Sequence, residues 1–314
     1  FSHALEMFSS QKRALLETTS CLLIIGNLHL LLNEVEKGGE KIQQALTLRS
    51  EKLGPENPQT KICQYYLGLS YHLQAKFQDA SKSYEKAFKC SISDQTYMFC
   101  LHYNAACACK SSKRQREALE YFQLARDYLV KAHPQHPGLA LCLHNIGELF
   151  YKSAKFDISL LQYKRALEIY EKASPVNTVA LSICQTDIGN LYLEMGFHDK
   201  AHTFFEKALE NRKKWLAETH SLTIESMNNM GIILSKLGKN DEALSYYQKC
   251  LEARINLYGE EHKKVADIYS NIGNVYLKMK KNEDALKSQK KALEIRLKVL
   301  PKYHHRIADS YLNL

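Results

Sequence analysis

Cysteine and histidine are the residue types in this sequence that could ligate a metal or supply a nucleophile and a base. The 314 residues include nine cysteines and 13 histidines. Cys107 and Cys109 form a C-x-C pair, but they lack the further ligands that a zinc site needs. Neither a glycine-rich phosphate loop nor an H-E-x-x-H or G-x-S-x-G motif occurs. The sequence therefore predicts no catalytic residues, no metal and no cofactor, which is typical of a protein that is not an enzyme.

Asparagine is the other residue type whose spacing is regular enough to suggest chemistry. An asparagine amide offers both a hydrogen-bond donor and an acceptor, so it can pair with the backbone of an extended peptide. The candidates are Asn104, Asn145, Asn190, Asn229, Asn271 and Asn274. They can act together only if successive elements of the fold present them on a common face.

A repeated motif supplies such elements. Segments such as IIGNLH, DIGNLY and NIGNVY recur along the chain, each with a small central residue that we call the anchor. The anchors are Gly26, Gly68, Ala106, Gly147, Gly189, Gly231 and Gly273, and they are 38 to 42 residues apart. Apolar residues follow helical spacing around each anchor, and Gly196 and Gly238 suit a turn seven residues after it. Each repeat is therefore predicted to contain a first helix, which carries the anchor, and a second helix.

The repeat boundaries follow from this spacing and from the prolines, which lie in the variable stretches. We predict seven repeats at 15–56, 57–94, 95–135, 136–177, 178–219, 220–261 and 262–303. Residues 1–14 align with a second helix and residues 304–314 with the start of a first helix. The sequence is thus expected to be part of a longer array.

Small residues at the anchor and 12 and 19 positions after it, with aromatic residues 3 and 16 positions after it, resemble tetratricopeptide repeats. The 42-residue spacing and loops such as LGPENPQT and YGEEHKKVAD resemble the repeats of kinesin light chains. The resemblance implies an all-α, right-handed superhelical solenoid of antiparallel helix pairs, with the first helices lining a concave groove.

One stripe of each first helix, at positions −6, −2, +1 and +5 from the anchor, is expected to face this groove. The predicted peptide-binding residues are Tyr66, Leu69, Asn104, Asn145, Lys152, Asn190, Asn229, Lys236, Asn271, Asn274 and Lys278. Grooves of the kinesin-light-chain type use first-helix asparagines, which implies such a role for Asn104, Asn145, Asn229 and Asn271. Alternatively, these amides bond a neighbouring helix, and the apolar stripe residues near Leu69 are covered by the adjoining repeat.

Two departures limit what the resemblance implies about the ligand. In repeats four to seven the stripe carries five acids against three lysines, whereas kinesin light chains bind acidic motifs in a basic groove. Some relatives hold the C-terminal carboxylate of Hsp70 and Hsp90 chaperones with a lysine three residues before the anchor. Leu23, Thr186 and Ser270 occupy that position beside the asparagines here, so this carboxylate clamp is not supported.

The remaining features predict the setting rather than a site. Cys21, Cys63, Cys142 and Cys184 recur five residues before anchors and are expected to pack in the core, as unpaired thiols typical of the cytoplasm. The longest apolar run, 21–32, falls short of the roughly 20 residues of a membrane helix, so no membrane span is expected. The net charge of +9 lies in short basic runs without interleaved aromatic residues, which disfavours nucleic acid.

Four histidines, His136, His220, His262 and His304, lie eleven residues before an anchor position and are predicted to cap or pack the helix starts. Taken together, the sequence predicts a scaffold or adaptor that binds a partner's peptide segment in the groove. The alternative is a sensor or regulatory arm of a larger signalling protein or enzyme whose catalytic domain lies outside this segment.

Overall fold

The computed structural model of the protein describes residues 2–88, 94–175 and 177–314, and in these ranges the regular elements are α-helices. They are α1 (Ser2–Leu31), α2 (Val35–Leu53), α3 (Pro58–Leu73), α4 (Phe77–Phe88), α5 (Gln95–Ser111), α6 (Gln115–Ala132), α7 (Pro137–Lys152), α8 (Phe156–Lys172), α9 (Thr178–Glu194), α10 (His198–Trp215), α11 (Ser221–Lys236), α12 (Asn240–Tyr258), α13 (Lys263–Lys278), α14 (Asn282–Val299) and α15 (His305–Leu312).

The helices are distributed over two compact units, Phe1–Ser153 and Ala154–Leu314. In unit 1, α1 packs against α2, α3 against α4, and α5 against α6. In unit 2, α9 packs against α10, α11 against α12, and α13 against α14. These pairs are the predicted first and second helices, so the all-α repeat fold is confirmed within each unit. The division falls inside predicted repeat 136–177, whose two helices α7 and α8 belong to different units.

The turn inside each pair uses a left-handed residue seven positions after the anchor. These residues are Asn33, Ala75, Lys113, Ala154, Gly196, Gly238 and Lys280, with φ between 55° and 80°. The predicted glycine turns are confirmed at Gly196 and Gly238. In the other five repeats a non-glycine residue adopts the same left-handed conformation, which costs roughly 1 kcal/mol of conformational free energy at that residue.

The anchor glycines allow an aromatic ring of the second helix to touch the backbone of the first. A Cβ added at Gly68, Gly189 or Gly231 would lie 2.6 Å from a ring carbon. The rings belong to Tyr84, Phe205 and Tyr247, which lie 16 residues after their anchors and are buried. The predicted close crossing is confirmed, and the aromatic residue at the +16 position is its partner.

The four recurrent histidines begin first helices. His136, His220, His262 and His304 are the N-cap residues of α7, α11, α13 and α15. In each, the ring Nδ1 accepts a hydrogen bond from the backbone N–H two residues further on. The predicted capping role is confirmed.

An arginine joins several second helices to the first helix that follows, a feature that the sequence analysis missed. The residues are Arg49, Arg212, Arg254 and Arg296, each 23 positions after its anchor. Each guanidinium donates to the backbone carbonyl ten residues further on, at 2.6 to 3.4 Å. The recurrence of arginine at one repeat position was the signal in the sequence.

Arg212 illustrates this bridge in unit 2. Its Nε donates to Ser182 Oγ of α9 at 3.2 Å, and a terminal nitrogen donates to the Leu222 carbonyl and to Ser226 Oγ of α11, both at 2.8 Å. Burial lowers the pKa of the Arg212 guanidinium, although the charges of Glu225 and Asp187 oppose this shift. The side chain thereby connects α9, α10 and α11.

Helix α1 differs from the prediction. A helix boundary was expected near residue 14, but α1 continues without interruption from Ser2 to Leu31. Residues 2–25 contain neither glycine nor proline, whereas loops between other repeats contain residues such as Pro134 and Gly259. Without a residue that disfavours helix, one helix forms where two were expected. The other repeat boundaries stay predictions, and residues 1, 89–93 and 176, within predicted segments 1–14, 57–94 and 136–177, lie outside the described residues.

Candidate functional site

The stripe asparagines of unit 1 bond to neighbouring first helices. Asn104 Nδ2 of α5 donates to Tyr65 Oη of α3 at 3.0 Å. Asn145 of α7 is 9% exposed; its Oδ1 accepts from Lys110 Nζ of α5 at 2.6 Å, and its Nδ2 donates to the Leu141 carbonyl at 2.8 Å. In unit 1 these amides therefore hold the first helices together, as the alternative interpretation of the stripe expected.

An ion network surrounds Asn145. Glu148 accepts from Lys110 Nζ at 2.5 Å and from Lys152 Nζ at 2.6 Å. Burial acts to raise the pKa of the Glu148 carboxyl, but the hydrogen bonds and charges of the two lysines outweigh it and hold the pKa below its usual value. Lys152, a predicted peptide-binding residue, is exposed but already shares this carboxylate.

The apolar candidates of unit 1 divide into covered and exposed side chains. Tyr66 and Leu69 are half-buried against the core cluster that contains Leu67 and Ile42. Leu73, which the stripe also includes, is 52% exposed. Tyr66 and Leu69 thus offer part of their surface only.

In unit 2, the first helices α11 and α13 lie side by side. Asn271 Nδ2 of α13 donates to Asn228 Oδ1 of α11 at 3.1 Å. Lys278 Nζ donates to the carbonyl and the hydroxyl of Ser235 at 2.9 and 2.8 Å. Burial, followed by the charge of Lys236, lowers the pKa of Lys278. The two helices thereby present a shared surface, which we call the α11–α13 surface: Asn229, Lys236, Asn271, Asn274 and Lys278.

The candidate amides of unit 2 differ in how far they are engaged. Asn274 is exposed, and its Oδ1 accepts from Gln289 Nε2 of α14 at 2.9 Å. Asn190 and Asn229 are half-buried, and within the described residues no hydrogen bond uses either amide. Lys236 is exposed. Asn190, Asn229 and Lys236 therefore keep their hydrogen-bonding groups available to a ligand.

The acidic stripe residues carry less free charge than the sequence suggested. Asp267 accepts from Arg296 at 3.0 Å and from Arg306 at 2.6 Å. Glu148 is paired as described, and the charges of Glu225 and Asp187 act on Arg212. Two of the five acidic stripe residues, Glu148 and Asp267, are therefore paired with bases, which reduces the excess of acids over lysines along the stripe.

The other predicted residue types form no site in the described residues. Those residues contain no group of three or more His, Cys, Asp or Glu side chains arranged to hold a metal ion. Cys63, Cys142 and Cys184 are buried as expected, whereas Cys21 is exposed, so the packing role predicted for Cys21 is wrong.

One segment meets the length and composition of a membrane helix. Lys12–Leu31 of α1 spans 20 residues with a mean hydropathy of 1.5, and 22% of it is buried. The predicted absence of a membrane span rested on a shorter apolar run and is not supported by this segment. Core helices of soluble proteins can have the same length and composition.

Comparison with known proteins identifies the repeat. The tetratricopeptide repeat family model matches residues 18–92, 97–172, 182–256 and 223–298. Comparison with curated proteins gives no match. Similar solved structures include BtubC (BKLC) from P. vanneervenii, which is 24% identical with a TM-score of 0.56, 64% of this chain and 81% of that chain being covered.

Two further structures share the fold over most of the chain. The apo form of RapI is 17% identical with a TM-score of 0.70, covering 91% of this chain and 78% of that chain. The apo form of the quorum sensor NprR from B. thuringiensis is 12% identical with a TM-score of 0.62, covering 94% and 92%. At these identities the likeness shows the fold alone. Since the family model matches well over half of the residues, this chain belongs to the tetratricopeptide repeat family.

Proposed function

We propose that this protein is a protein-interaction scaffold that binds a peptide segment of a partner along the α11–α13 surface. The observation that carries the proposal is the side-by-side packing of α11 and α13, fixed by the bond between Asn271 and Asn228. This contact brings the stripe positions of two successive helices onto one surface. Available polar groups at Asn229 and Lys236 then lie beside side chains that are already held in place.

The chemistry of these groups suits a peptide backbone. The Asn229 amide can donate to a peptide carbonyl and accept from a peptide N–H at the same time. Lys236 adds a charge that can pair with a carboxylate of the ligand. Because neighbouring contacts fix Asn271 and Lys278, the surface loses little conformational entropy on binding.

A peptide-display selection against the purified protein tests this proposal. Selected peptides are measured by fluorescence anisotropy against the wild type and the variant Asn229→Ala/Lys236→Ala. Loss of two polar contacts is expected to weaken binding about tenfold or more. The matched control, Asn256→Ala/Lys249→Ala, removes the same side-chain types from exposed positions of α12 and should bind like the wild type. Equal binding by both variants, with unchanged circular dichroism, would contradict the proposal.

Asn145 provides a second control, in which stability rather than peptide affinity is expected to change. Its amide is buried among Lys110 and α7 backbone groups, so Asn145→Ala is expected to lower the free energy of unfolding by about 1–2 kcal/mol. Peptide affinity of the folded variant should not change. Asn229→Ala is expected to show the reverse pattern in the same two measurements.

We further propose that the scaffold is an adaptor similar to kinesin light chains and that it works in the cytoplasm. The 42-residue spacing from Gly147 through Gly273 supports the adaptor role. The free thiols support the cytoplasmic location, since buried cysteines such as Cys63 and Cys184 are unpaired. Fractionation of cells and identification of flanking segments test these statements.

The second candidate function is a sensor or regulatory arm. It is favoured by the fold shared with NprR, described as a quorum sensor, over more than nine-tenths of this chain. In a sensor, ligand binding must change the relation between helix pairs. A selected peptide that alters hydrogen exchange throughout a unit supports this role, whereas protection confined to α11 and α13 supports the scaffold.

A further inference from the structure

At three places in unit 2, a lysine lies over an exposed or half-exposed aromatic ring. Lys214 Nζ lies 5.4 Å from the ring centroid of Trp215, the last residue of α10. Lys264, near the start of α13, lies 4.6 Å from the ring of Tyr258, the last residue of α12, and Lys302 lies 5.9 Å from the Tyr303 ring in the loop after α14. Each place is where a second helix leads into the next first helix. The pairing of a cation with an aromatic ring therefore recurs at one end of consecutive helix pairs.

Exposed apolar side chains follow the same register. Trp215, Leu257 and Val299 each lie 26 residues after an anchor, and their exposed fractions are 61%, 47% and 37%. Tyr303 is 92% exposed. Because equivalent positions of stacked repeats form a row, these side chains line one edge of unit 2. We call it the loop edge: Trp215, Leu257, Tyr258, Val299 and Tyr303 with their lysines.

The charge of the loop edge is basic. Exposed lysines next to the row are Lys213, Lys214, Lys263, Lys264 and Lys302. The carboxylates in the same segments, 213–220, 257–264 and 299–304, are Glu218, Glu260 and Glu261, and Glu261 is already paired with Lys298 at 2.8 Å. Lysines thus outnumber the remaining carboxylates by five to two.

We propose that the loop edge docks on an anionic phospholipid surface. Tryptophan and tyrosine prefer the headgroup level of a bilayer, where one side of the ring is apolar and the other is wet. Lysines near such a surface are attracted to phosphatidylserine and similar lipids. Leu257 and Val299 add aliphatic area that a bilayer interface can take up, whereas a nucleic acid offers stacking to the rings but nothing comparable to these side chains.

This proposal is independent of peptide binding. The loop edge lies at the ends of α10, α12 and α14, whereas the α11–α13 surface consists of residues within first helices. A protein that fails to bind peptides can still dock through the loop edge, and the reverse also holds.

Trp215 is the only tryptophan of the sequence, so its fluorescence reports on the loop edge directly. The wild-type protein is mixed with phosphatidylcholine vesicles that contain or lack phosphatidylserine. With phosphatidylserine we expect a blue shift of the emission and sedimentation with the vesicles, both reversed by added salt. With phosphatidylcholine alone we expect neither.

Charge reversal tests whether vesicle binding depends on the lysines of the loop edge or on the net positive charge of the protein, and it retains the fluorescent Trp215. The variant Lys214→Glu/Lys264→Glu/Lys302→Glu should lose affinity for the anionic vesicles by on the order of a hundredfold. The control Lys249→Glu/Lys287→Glu/Lys290→Glu changes net charge equally at exposed positions of α12 and α14 and should lose far less. Absence of wild-type binding, or equal losses in the two variants, would overturn the proposal. So would a preference for a single-stranded RNA oligonucleotide over the vesicles.

Discussion

Among the described residues, an arginine connects a second helix to the next first helix at three places in unit 2 and at one place in unit 1. In unit 2, Arg212, Arg254 and Arg296 each donate to a carbonyl of the following first helix. In unit 1, Arg49 does so between α2 and α3, but Leu129 stands at the equivalent position of α6 and is buried.

Aromatic packing takes the place of the arginine at the start of α7. A Cβ added at Gly138 would lie 2.6 Å from the Phe99 ring, and the Phe99 ring centroid lies 6.1 Å from that of His136. The contact between successive helix pairs is thus made by guanidinium hydrogen bonds in some repeats and by apolar packing in others. The comparison shows that the space between helix pairs must be packed, whereas the type of side chain that packs it can differ.

The largest effect is expected from a buried arginine bridge of unit 2. Arg212→Met leaves Ser182, Ser226 and the Leu222 carbonyl without their donor, so the free energy of unfolding should fall by about 2–3 kcal/mol. Arg254→Met is the matched control, because Arg254 is less buried; it should cost about 1 kcal/mol or less. Urea denaturation followed by circular dichroism measures both. Equal losses would show that burial of the bridge does not set its contribution.

An intermediate effect is expected at the anchors. Gly189→Ala in unit 2 places a Cβ 2.6 Å from the Phe205 ring and should cost about 1–3 kcal/mol of unfolding free energy. Unit 1 already has alanine at one anchor, since Ala106 packs in a cluster with Phe122. Ala106→Gly should therefore cost about 1 kcal/mol, through helix propensity rather than a clash. Thermal denaturation of the pair checks the contrast, and a neutral Gly189→Ala would contradict the close crossing.

The smallest effect is expected for the pH dependence of the free energy of unfolding, and it should differ between the two units. Burial lowers the pKa of His102 in unit 1, outweighing its hydrogen bond to the Met98 carbonyl. The unfolded chain then binds a proton more readily than the folded one, so stability is lost as the pH falls through the ordinary histidine value of about 6.5.

His102→Phe removes this titration and should flatten the loss of urea stability between about pH 7.5 and 5.5. His262 in unit 2 is only half-buried, with its pKa lowered by burial and by Lys264 and Lys263. Replacement of His262 by Asn, which keeps an N-cap acceptor, should change the pH dependence less. A larger change at His262 would reverse the expected order of the two units.

Local signals in the sequence predicted the fold well. The anchors, the capping histidines and the turn glycines each depend on neighbours within one repeat, and periodicity reveals them. Helix α1 was mispredicted because alignment to a repeat does not supply the residue that interrupts a helix. The turns at Ala75 and Lys280 show that the fold imposes a left-handed conformation even where the residue disfavours it.

The candidate site was less predictable because its chemistry depends on side chains one repeat away. Asn145 and Asn229 occupy the same repeat position, yet Lys110, 35 residues earlier, engages only the first. Asp267 is neutralised by Arg306, 39 residues later. Spacing alone does not reveal which equivalent residues find partners of this kind.

The arginine bridges also have a consequence for insertions and deletions. Each guanidinium must reach a carbonyl ten residues on, so a loop it crosses has a fixed length; the next anchor follows after 42 residues in the repeats of Arg49, Arg212 and Arg254. The intervals shorten to 38 and 41 in the repeats whose sequence has Ser91 and Leu129 at the position of the arginine, whereas the repeat with Tyr170 there keeps 42. Both changes in loop length thus occur where this side chain is absent, and we expect the repeats that lack it to be the places where the array can gain or lose residues.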